Sequence, residues 1–158
     1  MMLPNLQKMV LMMTLILAGC RGEFAPTGAG GDTGQAPVMV FASGPESGVT
    51  QAGLQICRDR KGWAQLWSRH LGPDAENTPL PVVCFATENV VGVFLGKRPT
   101  GGYSLSVGSL EKGRDGWLLR TREVAPGEDA PIELAESHPF AFVIVPRHVG
   151  EIDWAPRP

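Results

Sequence analysis

The stretch that decides the fold runs from Val90 to Val107 and reads VVGVFLGKRPTGGYSLSV. Val90–Leu95 is an almost continuous apolar run with β-branched residues at its start, which is typical of a strand buried on both faces. Gly96–Gly102 contains three glycines and Pro99, and this composition predicts a rigid turn. From Tyr103 to Val107 apolar and polar side chains alternate, which indicates a half-solvated strand. The stretch therefore predicts a central hairpin: strand, basic turn, strand.

A helix is predicted between Asp59 and Gly72. Asp59 is a typical N-cap residue, and the Gly72–Pro73 pair is typical of a helix end. Apolar side chains repeat between them at helical spacing: Trp63, Leu66, Trp67, His70 and Leu71. We expect this amphipathic helix to cover one face of a sheet.

Apolar runs elsewhere predict the remaining strands. These runs are Val38–Ala42, Ser47–Cys57, Val82–Phe85, Trp117–Val124 and Phe140–Val145. Asp115–Gly116 is a hairpin signal, and Phe140–Val145 is expected beside Val90–Leu95 in the middle of the sheet. The segment after Pro146 is expected to be a tail in which Trp154 packs against the core. The patterns predict an α+β fold for residues 37–158, with a mostly antiparallel, sandwich-like sheet of about five strands under one covering helix.

The N-terminal residues 1–19 have the pattern of a signal peptide. Lys8 precedes the apolar run Met9–Leu17, which is too short to span a bilayer. The segment ends in Leu-Ala-Gly-Cys at Leu17–Cys20, which resembles a bacterial lipobox. That resemblance implies cleavage before Cys20 and attachment of acyl chains to it, and a plain secretory signal is the alternative. It also implies the cell envelope, and Arg21 in place of a retention aspartate favours the outer membrane or cell surface in a host with two membranes.

Residues 20–36 are rich in glycine, threonine and proline. Such a composition predicts a flexible tether between the lipidated cysteine and the folded domain.

Composition and motifs argue against several functions. A net charge of −2 disfavours a nucleic-acid partner, which would need a basic face. His70, His138 and His148 lack the spacing of metal ligands, and no Gly-x-Ser-x-Gly nucleophile motif occurs. We therefore expect no catalytic residues, no metal and no cofactor, and we interpret the protein as a non-enzyme.

Cys57 and Cys84 remain when Cys20 is lipidated. In an oxidising compartment they could form a disulfide. They could equally be two buried thiols packed as small apolar side chains. The sequence leaves both alternatives open.

The richest candidate for binding is the turn itself. It consists of Lys97, Arg98, Pro99, Thr100, Gly101, Gly102 and Tyr103. A rigid loop that presents cations and an aromatic ring suits recognition of a protein partner. The alternative is a glycine turn with solvated charges and Tyr103 packed beneath it.

The same stretch resembles the C-terminal domain of the protease complex subunit PrcB family. The matching pieces are Trp63–Trp67, Pro81–Phe85, Val90–Tyr103 and Ser137–Pro146, and the Arg-Pro-Thr-Gly-Gly-Tyr run is the most specific of them. Cys84 departs from the expected pattern, where an acidic or polar residue is commoner. The resemblance implies a non-catalytic lipoprotein that supports a surface protease complex and reaches the membrane through its acyl chains.

A second resemblance is to chagasin-type inhibitors of cysteine proteases. These present an Asn-Pro-Thr-Thr-Gly-Tyr loop, to which Arg98–Tyr103 is similar, and an Arg-Pro-aromatic loop, to which His138, Pro139 and Phe140 are similar. The alternative function is therefore a peptidase inhibitor that acts through Arg98–Tyr103. The leading hypothesis remains an envelope accessory protein with a protein partner.

Overall fold

The computed structural model describes residues 34–127 and 134–157. The predicted signal peptide, Cys20 and the tether up to residue 33 lie outside the described residues, so lipidation at Cys20 stays a prediction. The described elements, in chain order, are β1 Gln35–Ala36, β2 Met39–Gly44, β3 Gly53–Cys57, α1 Arg60–Leu71, a 3-10 helix Gly72–Glu76, β4 Glu88–Phe94, β5 Ser104–Lys112, β6 Trp117–Val124, β7 Phe140–Pro146 and β8 Ile152–Arg157.

Two strands with continuous apolar runs form the centre of the molecule. β4 and β7 pair antiparallel over their whole length, from Glu88 opposite Pro146 to Phe94 opposite Phe140. Both were predicted as buried strands at the middle of a sheet, and both predictions are confirmed. β2 and β3 complete this four-stranded sheet B, in the order β2-β7-β4-β3.

A second sheet packs against the first. Sheet A has the order β1-β5-β6-β8, with antiparallel pairs except between β6 and β8, which run parallel. Alternate residues of β4 and β7 face sheet A and form the core between the sheets with Leu105, Leu110 and Leu119. The other side of sheet B carries Val90, Phe94 and Phe142, which pack under α1.

Helix α1 covers the outer face of sheet B, as its apolar spacing predicts. Asp59 is the N-cap and accepts a hydrogen bond from the Gly62 amide at 2.7 Å, and Gly72 ends the helix with a φ of 58°. Trp63 and Leu66 are fully buried. The resulting order of layers is sheet A, sheet B, helix. The predicted α+β, sandwich-like class is confirmed, with eight strands in the described part where about five were expected.

Three predictions about particular segments are wrong. The Gly96–Gly102 turn does not join a hairpin, because β4 lies in sheet B and β5 in sheet A. Val82–Phe85 is not a strand; Val82 is 72% exposed, and its neighbours Val83 and Phe85 instead pack on the cluster under α1. The tail after Pro146 contains β8, although Trp154 does pack against the core as expected.

Two further boundaries differ. Gln35 and Ala36, which the composition assigned to the tether, form β1 against Glu111 and Leu110 of β5. Only the last part of Ser47–Cys57 is a strand. Within the described ranges, no helix is both long and apolar enough to cross a membrane.

The connections between strands gather at two opposite ends of the sandwich. The near end contains Gly34, where the N-terminal segment enters, together with residues 58–61, 84–87, 113–116 and 147–151. Hydrogen bonds join these segments, including Trp117 N to Glu151 O and Arg147 N to Thr87 O. The far end contains residues 45–52, 95–103, 125–127 and 134–139, where Leu95 N donates to Pro139 O and His138 N to Pro45 O.

Candidate binding site

The candidate loop Lys97–Tyr103 lies at the far end, where the chain crosses from sheet B to sheet A. A glycine on each side of this crossing determines the backbone conformation of the loop. Gly96 has a φ of 73°, and a Cβ there would lie 2.7 Å from the backbone nitrogen of Ala52. Gly102 has a φ of 86°, and a Cβ there would lie 2.8 Å from Pro126 Cβ. Both positions therefore need glycine for conformation and for space.

Arg98 is the structural centre of the loop. Its Nε and Nη2 donate to the two carboxylate oxygens of Glu123, each at 2.6 Å, and its Nη1 donates to the carbonyls of Leu95 and Lys97. The two charged side chains are each 23% exposed. A bidentate pair of this kind fixes both orientation and register. Arg98 therefore clamps the turn to β6, and its charge is already neutralised.

The pKa values of this pair shift in the directions that a tight ion pair produces. The hydrogen bond to Glu123 raises the pKa of the Arg98 guanidinium above its usual value. The hydrogen bond from Arg98 lowers the pKa of the Glu123 carboxyl. Both groups are thus held in their charged forms.

Ser137 holds the loop from the other side. Its backbone exchanges two hydrogen bonds with that of Arg98, at 2.8 and 3.1 Å. Its hydroxyl donates to the carbonyl of Thr100 at 2.7 Å, and the residue is fully buried. The loop is therefore fastened to two separate segments, and its conformation is set before any partner arrives.

The part of the loop that faces solvent is small and largely uncharged. Pro99 and Gly102 are exposed, whereas Thr100, Gly101 and Tyr103 are half-buried. Lys97 is exposed and pairs with the equally exposed Glu136 at 2.5 Å. Arg98 therefore serves the fold, as in the alternative of a purely structural turn. Lys97 and Pro99 remain available for contact with a partner. The partner-binding role of the loop stays a prediction.

The secondary candidate segment lies next to the loop but faces inward. His138 is half-buried, and Pro139 and Phe140 are buried. The Phe140 ring packs 4.1 Å from that of His70 under α1. An inhibitory loop has to present its aromatic ring to a protease, so the inhibitor hypothesis rests on Arg98–Tyr103 alone.

Cys57 and Cys84 are not joined by a disulfide in the structure. Cys57 is 2% exposed within the cluster under α1, and burial raises the pKa of its thiol to about 11. A thiol with such a pKa remains protonated and unreactive near neutral pH. Cys57 is thus packed as a small apolar side chain, which was one of the two alternatives from the sequence, whereas Cys84 is only half-buried.

One buried pair contains groups familiar from catalysis. His70 Nδ1 lies 3.0 Å from Ser47 Oγ, and the two residues are 8% and 9% exposed. Burial among aromatic rings lowers the pKa of His70 to about 4. The pair fastens the Ser47 segment to the end of α1, where Gly48 N also donates to His70 O at 2.7 Å. In this enclosed position it acts in packing.

The described ranges contain no group of three or more potential metal ligands. Two open hollows lie along α1, beside residues such as Ala64 and Ser68, and no residue of the loop lines either of them. The exposed atoms of the loop lie outside both hollows, and such an open surface suits contact with a macromolecule better than enclosure of a small ligand.

Sequence reasoning missed the two carboxylates that pair with the loop, Glu123 and Glu136. A signal for Glu123 was present, because Leu119, Thr121 and Glu123 share the inward side of β6 by strand alternation. A charge on the inward side at a strand end requires a partner. The sequence contains no comparable signal for Glu136.

Residues 89–146 match the PrcB C-terminal family. This segment belongs to that family. The PrcB match begins one residue after the start of β4 and ends with β7, so it contains the loop and both of its fastenings, Glu123 and Ser137. The Trp63 helix and the Pro81–Phe85 segment, which also suggested PrcB, lie outside the matched range. No curated protein and no solved structure matches the chain.

Proposed function

We propose that the protein is a non-catalytic accessory subunit of a protease complex in a bacterial cell envelope. In this proposal Cys20 carries acyl chains that hold the protein to the membrane, and the exposed residues of the Lys97–Tyr103 loop contact the partner. The membership of residues 89–146 in the PrcB C-terminal family is the observation that carries it.

The geometry of the loop supports a role in binding. Arg98, Ser137 and the two positive-φ glycines hold the backbone in one conformation. A preorganised loop loses little conformational entropy on binding, so more of its contact energy contributes to affinity. Contact would come from Lys97, Pro99 and the accessible part of Tyr103, because Arg98 is occupied by Glu123.

The central test compares envelopes with and without the protein. We expect a protease to co-purify with the wild-type lipoprotein in a fixed ratio, and its amount or activity to fall when the gene is deleted. Complementation with the wild-type gene should restore it. An unchanged protease level after deletion, with no protease among the co-purified proteins, would refute the accessory role.

Variants locate the contact. Lys97→Ala combined with Pro99→Ala changes exposed side chains and leaves the Arg98–Glu123 pair in place. The matched control is Arg114→Ala combined with Asp115→Ala, two exposed residues in the near-end hairpin. Loss of the protease with the first variant and retention with the second supports the loop. Equal retention places the contact elsewhere on the protein.

Anchoring has an independent test. Mass spectrometry of the mature protein should find acyl chains on Cys20, and Cys20→Ala should abolish processing at that site. A wild-type protein that is released in soluble form would contradict the anchoring.

A further inference from the structure

We propose that the near end of the sandwich docks on an anionic lipid surface. Three separate segments, residues 58–61, 113–116 and 147–151, bring cations together there. The cations of these connections and of the first turn of α1 are Arg58, Arg60, Lys61, Arg114 and Arg147, and all five are exposed. His148 is exposed beside them.

Contacts across the near end show that these segments form one surface. Arg58 reaches Gly150 O at 3.1 Å and Glu151 at 3.3 Å, which joins the start of α1 to the segment before β8. Trp117, at the foot of the Arg114 hairpin, has its ring 6.2 Å from that of His148. Arg147 donates to the carbonyl of Phe85. The cations therefore converge from three parts of the chain.

The acidic residues of the same connections do not cancel this charge. They are Asp59, Asp115 and Glu151. Asp59 is engaged as the helix N-cap and Glu151 pairs with Arg58. Within the described ranges Arg60, Lys61 and Arg114 form no ion pair. Five cations and three carboxylates leave these connections with a formal charge of +2, in a chain whose net charge is −2.

Helix stability does not explain two of these cations. Arg60 and Lys61 lie in the first turn of α1, which contains no acidic residue. The helix dipole makes the first turn favourable for carboxylates and unfavourable for cations. Their presence there is accounted for by an external anionic surface.

The position of the N-terminal segment identifies that surface as a membrane. Gly34 enters the fold at the near end, where it accepts a hydrogen bond from Lys112 N at 2.6 Å. From Cys20 the chain can extend at most about 50 Å to this point. The inference rests on the proposed anchoring at Cys20, which would keep the near end close to lipid headgroups. Weak electrostatic attraction is then enough to dock the near end on the lipid headgroups, because the tether keeps the domain at a high effective concentration beside the membrane.

The orientation has a consequence for the candidate loop. With the near end on the membrane, the Lys97–Tyr103 loop at the opposite end points away from it. The strands between the two ends set the separation, at roughly 25 to 30 Å for seven to nine residues.

The test separates lipid attraction from acyl anchoring. The mature chain from residue 20, with Cys20→Ser to remove acylation, is sedimented with vesicles of phosphatidylcholine alone or of phosphatidylcholine and phosphatidylglycerol in equal parts. We expect roughly tenfold more binding to the anionic vesicles at low salt, and loss of the difference at high salt.

A charge-matched pair of variants tests the location. Arg60→Glu with Lys61→Glu should abolish the preference, and it should fold because carboxylates suit the first helical turn. Lys97→Glu with Arg122→Glu changes the net charge equally, away from the near end, and should retain the preference. Equal binding to both kinds of vesicle, or equal loss in both variants, would overturn the proposal.

A second measurement uses the acylated protein in the same two kinds of vesicle. Amide hydrogen exchange at residues 58–61, 113–116 and 147–151 should slow in anionic vesicles and not in neutral ones, while exchange at residues 97–103 stays the same. Slowing at the loop instead would overturn the orientation. None of these measurements involves a protease, so their failure leaves the accessory role to its own test.

Discussion

The two ends of the sandwich use charged residues in opposite ways. At the far end Arg98 is half-buried and its guanidinium pairs with the carboxylate of Glu123, whereas the pair between Lys97 and Glu136 is exposed and leaves Lys97 accessible. At the near end Arg60, Lys61 and Arg114 are exposed, with no ion pair in the described ranges. A cation in a conspicuous motif is therefore not always the one that is available for contact. What matters is whether another part of the chain already neutralises it.

The largest expected effect concerns the backbone at the far end. Gly96→Ala should lower the free energy of unfolding by about 2 to 4 kcal/mol, because it combines a left-handed conformation with a contact against Ala52. The near-end control is Gly150→Ala, where a Cβ would meet nothing within 4 Å. It should change the value by less than about 0.5 kcal/mol. Urea denaturation measures both free energies of unfolding. Equal losses for the two variants would show that the backbone at Gly96 is no more constrained than the backbone at Gly150.

Acid should weaken the far-end side of α1 through His70. Its pKa is about 4 when folded and 6.5 in the unfolded chain, so between pH 6.5 and about 4 the unfolded state binds the proton and the folded state does not. Stability should therefore fall by up to about 3 kcal/mol as the pH drops from 6.5 to about 4, and no further below that on account of His70.

Urea denaturation at several pH values checks the His70 prediction. His70→Gln should flatten the dependence in this window, and His148→Gln, at the exposed near end, should leave it as in the wild type. Glu123 does not interfere in this window. Because its pKa is lowered in the folded state, its contribution to stability is lost only when the pH falls below the usual pKa range of a glutamate. A wild-type protein with constant stability between pH 6.5 and 4 would contradict the buried, neutral imidazole.

Breaking an ion pair should cost more stability at the far end than at the near end, and this difference is smaller than the two effects above. Arg98→Ala removes a bidentate partner from a half-buried carboxylate and should cost about 1 to 3 kcal/mol. Arg58→Ala breaks a pair whose side chains are 43% and 88% exposed, and should cost less than about 1 kcal/mol. A double-mutant cycle with Glu123→Ala isolates the coupling. Additive losses for Arg98 and Glu123 would mean that the pair contributes nothing to stability.

The smallest expected effect has opposite signs at the two ends. Lys61→Glu should stabilise the protein by about 0.3 to 1 kcal/mol, because a carboxylate suits the first turn of α1. Lys97→Glu should destabilise it by about 0.5 kcal/mol or less, because it faces Glu136. Thermal denaturation at low ionic strength measures both. A destabilising Lys61→Glu would mean that Lys61 has a structural partner.

Local patterns in the sequence were sufficient to predict α1, β4, β6 and β7. Each has a cap or an apolar run that belongs to the element itself, such as Asp59 for the helix. The hairpin at Asp115–Gly116 was predictable for the same reason, since Lys112 pairs with Trp117 across it. These signals depend on neighbours in the chain, and that is why one sequence reveals them.

What the sequence did not reveal depends on distant pairs. The Gly96–Gly102 turn has the composition of a hairpin, yet β4 pairs with β3 and β7 while β5 pairs with β1 and β6. Turn chemistry alone cannot tell a hairpin from a crossing between sheets. The role of Arg98 likewise depends on Glu123, which follows it by 25 residues. The segment does turn at Gly96–Gly102, but the guanidinium of Arg98 is engaged in holding the fold together.

The pairing of β2 has a consequence for how the protein acquires its structure. Among the described strands β2 pairs only with β7, so that Met39 lies opposite Ile144. β2 is therefore synthesised well before β7, the strand with which it pairs. Long-range pairing of this kind slows folding, and sheet B cannot be completed before β7 has been synthesised. The strand order thus places β3, β4, β5 and β6 in the chain between β2 and its partner strand.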